Sequence, residues 1–172
     1  MSTIKNIDGP KDFVFRVLSG VAIGIVAGLV PNAILGEIFK YLIQYQPIFK
    51  TLLGVVQAIQ FTVPALIGAL IAMKFNLTPL AIAVVASASY VGSGAAQFKN
   101  GVWIIAGIGD LINTMITAAI AVLFILLIEE RVGSMALIIF PTIVGDLSAT
   151  IGIFTLPYVR LITTGIGNML NS

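Results

Sequence analysis

"IIAGIGDLINTM" (residues 104–115) and "TIVGDLSATIG" (residues 142–152) each set an aspartate inside a run otherwise fit for hydrocarbon. Both contain Gly-Asp-Leu-x-x-Thr, at 109–114 and again at 145–150. A carboxylate near the centre of a bilayer costs about 2.5–3.5 kcal/mol on insertion scales, and it is usually paired, hydrated or in use. The fold therefore turns on whether the runs around Asp110 and Asp146 are membrane helices.

Composition says that they are. Of 172 residues, 59% are hydrophobic and 9% charged, with a mean hydropathy of +1.11. Soluble domains average roughly 45–50% apolar and about 25% charged. Cysteine and histidine are both absent. That removes disulfides, thiol nucleophiles, imidazole acid–base catalysis and the usual zinc and haem ligands, so no cofactor or metal is expected. A net charge of +2 is too small and too scattered for nucleic acid. The polar start, residues 1–12, lacks a signal-peptide layout and reads as a cytoplasmic N-terminus. With no low-complexity linker, residues 1–172 read as a single transmembrane domain.

A helix needs about 20 apolar residues to cross a hydrocarbon core of roughly 30 Å. Five segments qualify or nearly do: 13–30, 51–73, 78–90 (short for a span), 101–128 and 134–159. The expected fold is an all-α, polytopic bundle of about five spans. Between the first two, Phe39, Tyr41, Tyr45 and Phe49 are interleaved with Glu37, Lys40 and Lys50. That mixture predicts an interfacial helix near 35–48. Alternation from a cytoplasmic N-terminus puts Lys5, Lys11, Arg16, Lys74 and Arg131 inside, and Lys40, Lys50, Lys99 and Arg160 outside. The bias slightly favours this orientation. Lys74, Arg131 and Arg160 read as snorkelling boundary residues. In the first span, Gly20, Gly24 and Gly28 recur at four-residue spacing, which predicts close helix packing on that face.

On a helix, Asp110, Asn113, Thr114 and Thr117 form one polar stripe, and Thr142, Asp146 and Thr150 form another. The short connection at 129–133 makes the two helices antiparallel neighbours, with stripes able to face a shared cavity. One reading is solute binding or ion coupling; the other is hydrogen bonding that sets helix register. The stretch "SASYVGSGAAQFKNG" (87–101) is rich in small and hydroxyl residues and ends in Gln97, Lys99 and Asn100. It reads either as a re-entrant or broken segment contributing to a midplane site or as a plain aqueous loop. A helix starting near Gly101 would direct amides, with Lys99, toward an anion or hydroxyl oxygens. No catalytic constellation is present, so an enzyme is not expected.

The stretches "RVLSGVAIGIVAGLVPNAILGEIFK" (16–40), "YVGSGAAQFKNGVWIIAGIGDLINTM" (90–115) and "TLPYVRLIT" (155–163) resemble enzyme IIC-like membrane components of the bacterial sugar phosphotransferase system. The likeness covers nearly the whole chain and implies that the chain is the first half of a longer family pattern. It implies a multi-pass protein of the bacterial cell membrane, oligomeric, with a solute site between helices. Sugar carriers of this system commonly use a histidine and a glutamate near the sugar. This chain has no histidine and no glutamate within a predicted span, so separate phosphotransferase components would have to supply any phosphoryl transfer. The leading expectation is a transporter-like homo-oligomer that binds a small polar solute among Asp110, Asn113, Thr114, Asp146, Thr150, Gln97, Lys99 and Asn100. The alternatives are an oligomeric ion channel, and a non-transporting membrane sensor or assembly subunit that binds a lipid or ligand.

Overall fold

The computed structural model describes residues 7–170, so Lys5 lies outside the described residues. Helix α1 (Pro10–Leu42) opens with proline in its first turn, where no backbone donor is lost. Its 33 residues rise about 50 Å at roughly 1.5 Å each, more than a bilayer core requires. Its buried positions include Gly20, Gly24, Gly28, Asn32 and Gly36, a four-residue rhythm along one edge.

Helices α2 (Ile48–Gln60) and α3 (Val63–Lys74) run back along α1, bent by 43° at their junction. The break falls at residues 61–62, just ahead of Pro64, which has no amide hydrogen to give the Gln60 carbonyl and so cannot continue the α2 ladder. The α1–α3 contact is made backbone to backbone. A Cβ on Gly20 would lie 2.6 Å from the Ile71 Cα, and one on Gly24 2.7 Å from Ile67 Cγ1. Gly28 meets Val63 in the same way, at 2.9 Å.

Helix α4 (Pro79–Gly92) is capped by the Thr78 hydroxyl, which accepts from the Ala81 amide at 3.4 Å. At 14 residues it rises about 21 Å, short of a full span. The chain then turns through Gly94 (φ +76°) into an antiparallel hairpin of β1 (Ala96–Lys99) and β2 (Val102–Ile105). Helix α5 (Leu111–Val132) follows and ends at Gly133 (φ +48°). A 3-10 turn (Gly133–Met135), the single turn α6 (Ala136–Ile139), a π-helical stretch (Phe140–Gly145) and α7 (Asp146–Leu170) complete the chain.

By length and composition, two helical runs can cross a membrane, or three if α2 and α3 count as one. The second run, Leu111–Gly165, does not cross as a single rod. Straight, its 55 residues would extend about 80 Å, yet the Asn113 amide lies 2.8 Å from the Gly152 carbonyl. The run folds back at Gly133 into two antiparallel arms. Ile67, Ile71, Val85, Val122, Ile125 and Phe140 form the core where α3, α4, α5 and the π stretch meet.

The chain is thus a helical membrane bundle as expected, with two or three runs of crossing length where about five spans were expected, and with three local differences. Residues 35–48 form no separate interfacial helix, because α1 continues unbroken to Leu42 before turning. The helix expected from 101 begins only at Leu111, because Asn100 and Gly101 take left-handed angles (φ +51° and +82°) and close a hairpin. The break near 87–101 is therefore a short helix followed by strands.

Candidate functional site

Asp110 is the N-cap of α5, not a member of a helical stripe. Its carboxylate accepts from the Asn113 amide at 2.8 Å, and its carbonyl accepts from the Thr114 amide and hydroxyl at 2.9 and 2.7 Å. Its own amide donates to the Ser93 carbonyl at 2.8 Å. Gly109 (φ +70°) makes the turn, and a Cβ there would sit 2.5 Å from the Ser93 hydroxyl.

Asn113, Thr114 and Thr117 are fully buried at the junction of α4, α5 and α7. The Asn113 side chain donates to the Gly92 carbonyl at 2.6 Å and to the Gly152 carbonyl at 2.8 Å. Its oxygen accepts from the Thr155 hydroxyl at 2.9 Å. Thr117 donates to the Asn113 carbonyl at 2.8 Å and sits between the two glycines, whose backbones come together: a Cβ on Gly152 would lie 2.7 Å from the Gly92 Cα. Every polar atom of Asn113 is engaged. This stripe joins helices and does not face a chamber.

Asp146 stands differently. It opens α7 where the helix passes from π to α winding, a local irregularity frequent at functional sites. Thr142, Asp146 and Thr150 lie exposed on the outer face, so the stripe expected to point inward points away from its own bundle. Thr142 donates to the Ile138 carbonyl at 2.6 Å. The Asp146 carboxylate has no hydrogen-bond or ion-pair partner among the described residues. It lines a groove of about 390 Å³ between α4 and the π–α7 stretch, whose other polar side chain is Ser87. Leu80, Val84, Ala88 and Pro141 supply apolar walls.

The two aspartates therefore do not share a cavity. Of the loop residues, Gln97 donates to the Gly94 carbonyl at 3.0 Å, while Lys99 and Asn100 are exposed at the hairpin tip. None of the three lines the Asp146 groove. Gly20, Gly24 and Gly28 lie at the α1–α3 contact. Ser87 and Thr155, absent from the expected site, join the groove and the junction respectively. Thr155 falls on the face of α7 that presents Gly152, one turn on, a spacing readable in sequence. Ser87 shows its relevance only once α4 is laid beside α7.

Among known proteins, the family model described as "Phosphotransferase system, EIIC" matches residues 15–172. No curated protein and no solved structure matches the chain.

Proposed function

Because the chain belongs to the phosphotransferase system EIIC family, a family of membrane sugar-transport components, we propose that it is a carrier subunit that binds a small polyhydroxylated solute in the α4–α7 groove. The observation that carries this reading is the unpartnered Asp146 carboxylate at membrane depth. Asp146 is 14 residues, about 21 Å of helix, from Arg160, the next charged residue along α7. A charge so placed is costly unless water, solute or protein meets it. Its oxygens accept from solute hydroxyls, and the Ser87 hydroxyl gives a second polar contact on the opposite wall. The groove volume falls within the roughly 300–1,000 Å³ usual for small-molecule sites.

The groove is open on its outer side, so a second copy of the chain is the proposed cover, and the carrier works as an oligomer spanning the cell membrane several times. Phosphoryl transfer belongs to separate components of the system.

The test is uptake of a panel of radiolabelled hexoses and hexitols into proteoliposomes. Asp146→Asn is expected to lower uptake at least tenfold with the unfolding temperature unchanged. Uptake at the parent rate overturns the proposal.

A further inference from the structure

A second cleft, of about 240 Å³, lies under the hairpin against α7 and shares no lining residue with the Asp146 groove. Its polar side chains are Gln97 and Arg160; Phe98, Trp103, Ile153 and Leu156 make its walls. The Phe98 and Trp103 rings stand 5.5 Å apart across the two strands.

Arg160 does not behave as a snorkelling boundary residue, which would extend away from the protein toward water. Its guanidinium folds over the loop: Nη2 comes 3.1 Å from where a Cβ on Gly94 would stand. Gly94 (φ +76°) thus both turns the chain and clears the space that Leu156, 2.5 Å from the same point, and the guanidinium occupy. Among the described residues Arg160 has no hydrogen-bond or ion-pair partner. Gln97 spends one amide hydrogen on the Gly94 carbonyl and keeps the other. The cleft therefore combines an unneutralised planar cation, a spare amide donor and no carboxylate.

We propose that this cleft binds a phosphate group through Arg160 and Gln97. A guanidinium fork engages two phosphate oxygens at once, which a lone ammonium does not do. The volume is below that of an ordinary ligand pocket, so only the head of a larger molecule enters. Two sources present such a group: a phospholipid headgroup and a free phosphate. The surroundings favour the lipid. Ile153 and Leu156 continue the cleft along α7, and the adjoining face of that helix exposes Phe154, Tyr158 and Leu161. Arg160 lies about 12 Å of helix beyond the Gly152 junction, on the hairpin side. A guanidinium beside a helix face that exposes apolar side chains can hold a phosphate headgroup while the acyl chains lie along that face.

Trp103 is the sole tryptophan and lines the cleft, so its fluorescence reports occupancy. The full chain in an uncharged detergent is titrated with dioctanoyl-phosphatidylglycerol, with inorganic phosphate and with dioctanoylglycerol. The expected result is a saturable change with the first and none with the uncharged third. Saturation by inorganic phosphate at equal concentrations assigns the group to a free phosphate and retains the site. Arg160→Gln is expected to weaken the response at least tenfold, Arg160→Lys to recover part of it, and the remote Lys50→Gln to leave it intact. Gln97→Leu gives a second, smaller loss that does not touch the cation. No saturable change with either phosphate probe, an equal response to dioctanoylglycerol, or parent-like binding by Arg160→Gln overturns the proposal.

Discussion

Asn113 is where one side chain sets the relation of three helices. Its amide donates to carbonyls on α4 and α7, and its oxygen accepts from Thr155. Side-chain hydrogen bonds between membrane helices average about 0.6 kcal/mol each, so losing three removes roughly 2 kcal/mol. A chain of this size shifts by about 2–4 °C per kcal/mol. Asn113→Ala should therefore unfold about 4–8 °C lower, followed by far-UV circular dichroism in detergent, with solute uptake per folded molecule retained. An unchanged midpoint contradicts the tie. The sequence marks Asn113 as polar and on the same helical face as Thr114 and Thr117, which is how it came to look like a binding residue. Its partners are main-chain carbonyls 21 and 39 residues away, and no side-chain pattern announces a carbonyl. Asp110 poses the same problem: Gly-Asp-Leu reads identically at 109 and 145. The first copy follows a left-handed glycine and caps a helix; the second sits within a continuous helical run and leaves its carboxylate free.

Among the elements, the long apolar runs were legible because hydropathy over twenty residues is set by solvent, not by tertiary detail. The hairpin was legible in principle and concealed by its neighbours. Asn-Gly flanked by Phe-Lys and Val-Trp is a strong hairpin signal, since a type I′ turn needs positive φ at both central residues. The apolar run from Val102 to Ile108 merges with the helix beyond it, and that continuity favours a helix when period alone is weighed. The glycines that break the run, Gly107 and Gly109, both take positive φ. At Gly101 a Cβ would meet nothing within 4 Å, so any effect of substitution there is conformational and not steric. A side chain held in the left-handed region costs about 1–2 kcal/mol, and an isolated two-stranded ribbon has little to spare. Gly101→Val should open the hairpin while the bundle keeps its melting temperature. The readout is Trp103 emission and its quenching by acrylamide, both expected to rise in exposure. Parent-like emission means the turn tolerates the side chain.

For the whole molecule, the antiparallel run of α1 against α3, and of α5 against α7, sorts the charges toward two ends. Arg16 reaches the Lys74 carbonyl at 3.3 Å, which places Lys11, Arg16 and Lys74 together. Arg131 belongs to the same end, because α5 runs from the Gly92 junction back toward the start of α4. Lys40, Lys50, Lys99 and Arg160 lie toward the other end, on the distal part of α1, the start of α2, the hairpin and the second half of α7 respectively. With Lys5, which precedes Lys11 in sequence, the two sets are five and four, and positive-inside bias gives a slight preference for the Lys11 end in the cytoplasm. The chain has no cysteine, so any thiol introduced is the sole target for a maleimide. Lys11→Cys and Asn100→Cys replace exposed residues outside the core; the strain of a cysteine at the φ +51° of Asn100 falls on the hairpin tip and leaves the thiol accessible. In right-side-out vesicles a membrane-impermeant maleimide should label Asn100→Cys and spare Lys11→Cys; inverted vesicles should reverse the pattern. Labelling of both from one side would mean that one of the three passes between them, α1, the α2–α3 pair or the short α4, does not cross, since three crossings put the two positions on opposite sides. The opposite polarity would keep the crossing and reverse the orientation, placing the Arg160 cleft in the cytoplasmic leaflet, the one that carries the stronger anionic surface potential.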